Sequence, residues 1–199
     1  MVYKSISKVL RIEKTVYLLS PMHRSIVIKD RTFKPFIKHD EIILQVKKMA
    51  EAISEKHKNT FPLFIVILNG SFMFASDLLK EINIACEVTF VKLSSYQGTN
   101  STGKIHELIG LNENLENRKV VIVEDIVDTG NTIVKVVESI ANKGAASVEI
   151  ASIFHKPDVY DKAVKIDYIG FKIPNNFVVG YGLDYDGVGR NLRDLHVLV

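Results

Sequence analysis

Three carboxylates and a run of small polar residues lie close together in the stretch KVVIVEDIVDTGNTIVKVV, residues 119–137. Glu124 and Asp125 directly follow four apolar residues, and Asp128 directly precedes the run Thr129-Gly130-Asn131-Thr132. The apolar spacing after this run predicts a helix, whose N-terminus attracts anions through unpaired N–H groups and a partial positive charge. We therefore expect residues 129–132 to cradle a phosphomonoester.

The acids beside this anion site need a separate role, because carboxylates alone would repel a phosphate. Vicinal hydroxyls of a ribose offer one such role, since acids accept hydrogen bonds from them in dinucleotide-binding folds. A divalent metal offers another, because Mg²⁺ binds one or two carboxylates together with substrate oxygens. The stretch therefore predicts a sugar-phosphate site with Mg²⁺ as a cofactor.

Other interpretations of the same residues stay open at this point. Acids at a strand end followed by a capping Asp or Thr also occur in α/β proteins for structural reasons alone. The tripeptide Asp128-Thr129-Gly130 matches that of aspartic proteases, which are all-β and need a second acid that a homodimer could supply. A Mg²⁺ phosphatase would need a nucleophile or a second ligand set that the sequence does not offer. The run also lacks the lysine of a P-loop and the three-glycine dinucleotide pattern.

Segments with strand and helix patterns alternate around these residues. Apolar runs and alternating patterns predict strands at 62–68, 87–96, 104–111, 119–124, 147–154, 166–173 and 177–183. Helical spacing of apolar residues predicts helices at 40–57, where Asp40 is the expected N-cap, around Ala75 to Ile82, and at about 132–143. The loop 97–103 between two strands predicts an antiparallel arm with a mobile tip.

This alternation predicts an α/β domain with a parallel sheet covered by helices on both faces. In such sheets, ligands bind beyond the carboxyl ends of the strands. The loop Asn69-Gly70-Ser71 and the stretch 124–132 both follow predicted strands. We expect these two loops to face one crevice.

The composition excludes several other classes of protein. A chain of 199 residues, 47% hydrophobic and 25% charged, is typical of one globular domain. The net charge of +3 is scattered, without the clustered Lys and Arg of a nucleic-acid footprint. Cys86 is the single cysteine, which favours a reducing compartment, and no apolar run approaches the ~18 residues of a membrane span. We expect a cytoplasmic protein that binds neither nucleic acid nor membrane.

Five motifs carry a resemblance to a known family. The stretch VVIVEDIVDTGNT resembles the phosphoribosyl-diphosphate signature of the type I phosphoribosyltransferases. From about residue 27 to 199 the chain resembles their hypoxanthine-guanine branch more closely. Three further loops and the segment HKP match that branch. These are LNGSFMFASDL (68–78), LSSYQGTNSTGKI (93–105), HKP (155–157) and FVVGYGLDYDGVGRNL (177–192).

The resemblance implies a fold and a reaction. The implied fold is a parallel sheet flanked by helices, with a small hood from the N-terminal segment and about 156–199, and a flexible antiparallel arm. Residues 1–26 would be an extension of unknown role. The implied reaction joins 5-phosphoribosyl 1-diphosphate to a 6-oxopurine and releases pyrophosphate. A xanthine-preferring enzyme and an RNA-binding regulator of the same fold are the alternatives. The implied assembly is a homodimer or homotetramer.

The resemblance also implies roles for the acids and the loop after them. Glu124 and Asp125 would hold the ribose hydroxyls, or meet Mg²⁺ together with Asp184. Asp128 would lie near N7 of the purine as the general base. The 5′-phosphate would be held by Thr129, Gly130, Asn131 and Thr132.

Further roles fall on residues outside this stretch. Lys156 would donate to the oxygen at position 6 of the purine, Phe177 would stack on the base, and the Val178 backbone would contact its edge, with Asp184 nearby. The pyrophosphate would meet the backbone of Asn69 and Gly70, the Arg190 guanidinium, and a closing loop with Ser95 and Tyr96.

Two departures from the family pattern stand out. Many members carry Lys or Arg where this chain has Asn69, which implies weaker diphosphate affinity. Gly187 and Gly189 replace bulkier residues in the hood, and from these we expect Arg190 to be held loosely.

Overall fold

The computed structural model describes residues 25–95, 106–109 and 111–199. These residues form two sheets, three α-helices and a short 3-10 turn at Pro157–Val159. The strands are β1 Ile26–Ile28, β2 Arg31–Ile37, β3 Leu63–Leu68, β4 Glu87–Ser95, β5 His106–Ile109, β6 Lys119–Val127, β7 Ser147–His155, β8 Tyr168–Lys172, β9 Val178–Val179 and β10 Leu195–Leu198. The helices are α1 His39–His57, α2 Phe72–Glu81 and α3 Asn131–Asn142.

The central sheet has the strand order β5-β4-β3-β6-β7-β8. Its five strands from β4 to β8 in this order are parallel, and β5 pairs antiparallel with β4 at the edge. The predicted α/β class with a parallel core is therefore confirmed. The expected arm is described only where β5 pairs with β4, because its tip lies outside the described residues.

Buried apolar side chains on alternate faces of the central strands explain the layers. Phe64 and Val66 of β3 pack with α1 and α2 on one face, whereas Leu63 and Ile65 pack with α3 on the other. Such two-sided burial produces the continuous apolar runs that the sequence shows in β3 and β6. In the described part of the chain, no helix is both long and apolar enough to cross a membrane.

Two predicted boundaries are wrong, and one of them affects the site. Strand β6 continues past Glu124 to Val127, because Ile126 and Val127 pair with β7. Asp125 therefore belongs to a strand and not to the loop that we expected. Asp40 is not the N-cap of α1, since the cap is Lys38 and Asp40 lies in the first turn.

A second sheet forms the hood, with the antiparallel order β1-β2-β10-β9. The segment 177–183 was expected to be a strand, but only Val178–Val179 is extended, and it pairs with β10 of the hood. The chain then turns through Gly180, Tyr181 and Gly182, whose φ angles are 105°, 48° and 99°. Left-handed φ at Tyr181 is unusual for a bulky residue and marks a constrained turn.

This turn joins the hood to the central sheet. The Tyr181 ring is fully buried, and its hydroxyl donates to Asp77 Oδ2 of α2 at 2.8 Å. A Cβ atom on Gly182 would lie 1.9 Å from the Gly70 carbonyl oxygen, so only glycine allows this approach. The hood is therefore held against the loop that follows β3.

Replacing Tyr181 with Phe should lower the free energy of unfolding by about 1–3 kcal/mol, because a buried charge-assisted hydrogen bond is lost. Thermal unfolding at neutral pH measures this change. Tyr185→Phe is a matched control, since the Tyr185 hydroxyl also donates to a carboxylate, Asp30, at 2.8 Å but on the exposed surface. The control should change the free energy by less than about 0.5 kcal/mol. Equal losses in both variants would contradict a special role for the Tyr181–Asp77 contact.

Candidate active site

A cavity of about 320 Å³ lies beyond the carboxyl ends of β3 and β6. This is the edge of a parallel sheet where ligands bind. Among the residues that line it are eight of those predicted from the sequence: Gly70, Glu124, Asp125, Asp128, Gly130, Thr132, Asp184 and Arg190. Four elements therefore meet at this cavity: the loop after β3, the end of β6, the start of α3 and the hood. We expected the first two to face one crevice.

Two neighbouring carboxylates at the end of β6 are almost fully buried. Glu124 is 9% exposed and Asp125 is 8% exposed. Burial raises the pKa of Glu124 well above its ordinary value, and the charge of Asp125 raises it further. Burial also raises the pKa of Asp125, although a hydrogen bond from Glu124 and the Arg190 charge oppose this shift. Both acids therefore favour a cation or hydroxyl donors in the cavity.

Gly70 lets the loop after β3 approach this acidic pair. A Cβ atom on Gly70 would lie 1.5 Å from Asp125 Oδ2, so any side chain would displace the carboxylate. Asp125 Oδ1 meanwhile accepts from the backbone N–H of Ile126 at 2.7 Å. The peptide bond between Leu68 and Asn69 is cis. The Asp125 carboxylate is thus enclosed by backbone from two strand ends.

Helix α3 directs its N-terminus at the other end of the cavity. Gly130 is the N-cap with φ 76°, and no side chain caps the helix. Its first N–H groups are therefore available to an anion. Gly130 and Thr132 line the cavity, whereas Thr129 and Asn131 are exposed beside it.

Asp128 stands at the exposed start of this loop. Its Oδ1 accepts from the Thr129 backbone N–H at 2.5 Å. This contact fixes the carboxylate while it faces the cavity. A carboxylate held at the mouth of a cavity can accept a proton from a ligand that reaches it.

The hood contributes an ion pair. Arg190 Nη2 lies 2.6 Å from Asp184 Oδ1, and Arg190 Nη1 donates to the Gly182 carbonyl at 2.8 Å. Asp184 Oδ2 also accepts from the Gly187 N–H at 2.7 Å. Arg190 is therefore held by two acceptors, which differs from the loose arrangement expected from the nearby glycines. Gly189 is itself packed, since a Cβ atom there would lie 2.5 Å from Val179 Cγ2.

Of the four residues predicted to bind the purine, Asp184 lines the cavity, whereas Lys156, Phe177 and Val178 do not. Lys156 is buried, and its backbone N–H donates to the carbonyl of Val127, a cavity residue, at 3.0 Å. Phe177 is 43% exposed, so part of its surface is accessible to a ligand. Its ring packs at 5.7 Å from that of Tyr185. Val178 is buried in β9.

Asn69, predicted to contact the pyrophosphate, does not line the cavity. Asn69 is exposed next to Gly70. Ser95 is the last residue of β4, where only the backbone is described. Tyr96 lies outside the described residues.

The sequence analysis missed a segment after β7 that packs on the start of α3. A Cβ atom on Gly130 would lie 2.4 Å from Tyr160 Cε2 and 2.9 Å from Lys162 Cγ. The Tyr160 ring meets that of buried His155 edge to face, with centroids 5.1 Å apart. No local pattern signals a contact between segments 30 residues apart in the chain, so the sequence alone gave no reason to expect it.

The carboxylates of the cavity fit a magnesium ion that is coordinated mainly by substrate oxygens and water. Within the described residues, no three His, Cys, Asp or Glu side chains cluster closely enough to hold a metal. Mg²⁺ does not need such a cluster, because it keeps several waters and binds one or two carboxylates with substrate oxygens. Glu124 and Asp125, with raised pKa values that a nearby cation would offset, are suitable donors.

Comparisons with known proteins agree with this geometry. The family model described as "Phosphoribosyl transferase domain" matches residues 36–186. The hypoxanthine-guanine phosphoribosyltransferase of Bacillus subtilis is 37% identical over 166 residues, which cover 83% of this chain and 92% of that protein. The bifunctional protein TilS/HprT of Listeria innocua is also 37% identical over 166 residues, but the match covers only 26% of that longer protein. A crystal structure of a hypoxanthine phosphoribosyltransferase from Staphylococcus aureus superposes with a TM-score of 0.77 at 32% identity, covering 83% of this chain and 91% of that one.

Replacing Glu124 with Gln should raise the melting temperature at pH 7.5. Because burial raises the folded-state pKa above the ordinary value of 4.5, the folded protein binds this proton more tightly than the unfolded chain. The wild-type free energy of unfolding therefore falls as pH rises from 4.5 through the folded-state pKa. Gln carries no charge and avoids this loss of stability. The melting temperature should rise by about 2–4 °C for each kcal/mol gained in the free energy of unfolding.

Melting curves at pH 5 and pH 7.5 measure the effect. The difference in melting temperature between Glu124→Gln and wild type should narrow at the lower pH, because the raised pKa of Glu124 lets more of the wild-type carboxyl be protonated there. Glu116→Gln, at an exposed position, should leave the melting temperature nearly unchanged. A lower melting temperature for Glu124→Gln at pH 7.5 would contradict the argument from burial.

Proposed function

The chain belongs to the phosphoribosyl transferase family, and we propose that it transfers the 5-phosphoribosyl group of 5-phosphoribosyl 1-diphosphate to hypoxanthine or guanine. The products are IMP or GMP and pyrophosphate, a reaction of purine salvage. The observation that supports this most directly is the single cavity shared by a buried acidic pair, an uncapped helix N-terminus and the hood. A ligand with a phosphate, a ribose and a second anionic group would meet all three.

Glu124 and Asp125 contact the ribose in this proposal. Breaking the bond between ribose and diphosphate builds positive charge on the sugar, as in glycoside hydrolysis. Two carboxylates that are buried and fixed by backbone contacts stabilise such a charge better than solvated ones. They also accept hydrogen bonds from the vicinal hydroxyls.

Asp128 acts as the general base. Its Oδ1 is held by the Thr129 N–H, and the residue is exposed at the cavity mouth, where an incoming purine can reach the carboxylate. It takes a proton from the purine ring nitrogen N7 as the new bond forms elsewhere on the base. This assignment follows the family pattern and the orientation of Asp128.

The two anionic groups of the substrate bind at opposite ends of the cavity. The 5′-phosphate binds Thr129, Gly130, Asn131 and Thr132 at the start of α3. The diphosphate binds the backbone of Asn69 and Gly70 and the Arg190 guanidinium. Ser95 and Tyr96 close over the site and keep water from the reactive sugar.

The purine binds under the hood. Phe177, with 43% of its surface exposed, stacks on the base, and the Val178 backbone contacts its edge. Lys156 donates to the oxygen at position 6 and so distinguishes 6-oxopurines from adenine. Its buried position next to Val127 supports this role, since a fixed donor discriminates better than a mobile one.

Mg²⁺ is the proposed cofactor. Glu124, Asp125 and Asp184 would hold it together with substrate oxygens, and the ion would neutralise the charge of the leaving diphosphate. Four acids and one arginine line the cavity, so a polyanionic substrate needs added positive charge.

We propose further that residues 27–199 form the catalytic domain and that 1–26 are an extension of it. The chain with its single cysteine functions in the cytoplasm. A homodimer or homotetramer is the proposed assembly.

Turnover with individual purines tests the proposed reaction. With 5-phosphoribosyl 1-diphosphate and Mg²⁺, hypoxanthine and guanine should each release pyrophosphate and form the corresponding nucleotide, whereas adenine should not. Pyrophosphate release and chromatography of the nucleotide products measure this. A preference for xanthine would show that the proposed base specificity is wrong. No turnover with any purine would refute the proposed activity.

Replacing Asp128 with Asn should lower kcat by about 10²–10⁴-fold, because general-base catalysis contributes about that much. The KM for 5-phosphoribosyl 1-diphosphate should change far less. Steady-state kinetics over a range of pH measures both parameters. Asp158→Asn, at an exposed position on the same edge of the sheet, is the control and should retain wild-type kcat. Unchanged turnover in Asp128→Asn would show that Asp128 is not the general base.

A further inference from the structure

The phosphate end of the cavity lacks a basic side chain in its described wall. Among the lining residues, Arg190 is the one cation, and it belongs to the hood, where Asp184 holds it at 2.6 Å. The start of α3 offers N–H groups and Thr132 but no positive side chain. A dianionic phosphate there would gain from a nearby ammonium or guanidinium group.

Lys162 is the cation that the fold brings to this end. Its Cγ would lie 2.9 Å from a Cβ atom on Gly130, so the aliphatic part of the side chain covers the N-cap of α3. The side chain is only 28% exposed, as expected when its methylene groups pack against another segment. The ammonium is three bonds beyond Cγ, at the end of a flexible stem.

The ammonium is paired with an acid that it can leave. Lys162 Nζ lies 2.5 Å from Asp161 Oδ1, and the Asp161 side chain is 76% exposed. Ion pairs on the surface contribute little to stability, because water screens them. A phosphate dianion at the helix N-terminus is therefore a stronger partner for Lys162 than Asp161 is.

Tyr160 holds this segment in place. Its ring packs between Gly130 and His155, and its hydroxyl donates to the Val164 carbonyl. The His155 Nδ1 lies 3.0 Å from the Val127 carbonyl, so it must carry the proton, since a carbonyl only accepts. The end of β6 and the segment that bears Lys162 are therefore fixed to each other on either side of Gly130.

We propose that Lys162 is a further substrate-binding residue, whose ammonium leaves Asp161 and binds the terminal phosphate of the phosphoribosyl group. The inference rests on the proposed function, because that function supplies the phosphate. Asp161 acts as a competitor for the ammonium and so weakens phosphate binding. Tyr160 is a positioning residue, since it acts through Gly130 and Lys162.

Calorimetric titration with ribose 5-phosphate tests the proposal without any need for turnover. Lys162→Met keeps most of the packed stem and removes the charge, and it should raise the Kd by about tenfold, as expected for one charge-assisted contact. Lys162→Arg should restore affinity to within about threefold of wild type. Lys165→Met is the control, because Lys165 is 80% exposed and pairs with Asp167 instead; its Kd should stay within about twofold.

Asp161→Asn gives a result of opposite sign. Removal of the competing carboxylate should lower the Kd for ribose 5-phosphate by about two- to fivefold. Titration with ribose, which lacks the phosphate, should show no difference among these variants. If residues 161 and 162 had only a structural role, Lys162→Met and Asp161→Asn would both weaken binding of ribose 5-phosphate.

Steady-state kinetics supplies a second readout. In Lys162→Met the KM for 5-phosphoribosyl 1-diphosphate should rise by about tenfold, while kcat falls far less, because a contact to a remote phosphate persists through the reaction. Equal effects of Lys162→Met and Lys165→Met, or weaker binding in Asp161→Asn, would overturn the proposal. If ribose 5-phosphate binding follows the predicted order but no purine is turned over, the proposed reaction fails and the phosphate site stands.

Discussion

The site depends on how closely three pieces of backbone approach one another at the carboxyl end of the sheet. The Asp125 carboxylate occupies the space that a side chain on Gly70 would need, and the Gly70 carbonyl occupies the space that a side chain on Gly182 would need. The Asp125 side chain at the end of β6 thereby contacts the backbone of the loop after β3, and that loop contacts the hood backbone to backbone. Glycine at two of these positions is a steric requirement, and the cavity exists because the three segments meet there.

The buried acids at this junction oppose folding, and the surrounding core must offset that effect. Burial disfavours the charged forms of Glu124 and Asp125 in the folded protein. Apolar side chains on both faces of β3 and β6 supply the compensating stability. Unfavourable charge therefore concentrates at the end of the sheet that carries the candidate site, which is a common property of functional sites.

Local sequence patterns predicted the layers of the fold and much of the candidate site. Two-sided burial gives β3 and β6 continuous apolar runs, and helical spacing marks α1 and α3, so these elements could be found from single segments. The end of β6 was misplaced because Asp125 is polar, although pairing with β7 keeps the strand extended. Tyr160 and Lys162 were missed because their contact with Gly130 depends on the tertiary fold. The segment 177–183 was misassigned because its apolar residues pack in a left-handed turn.

The ion pair between Asp184 and Arg190 would affect the binding of any anion to Arg190. Because the guanidinium is already bound to a carboxylate and to the Gly182 carbonyl, an anion that reached it would compete with Asp184 for its charge. The affinity of Arg190 for that anion would then depend on the difference between its interaction with the anion and its interaction with Asp184. An arginine with a built-in substitute ligand is also kept in its binding orientation at all times. An arginine in this arrangement would bind strongly charged anions in preference to weakly charged ones, since a weak anion competes poorly with the resident carboxylate.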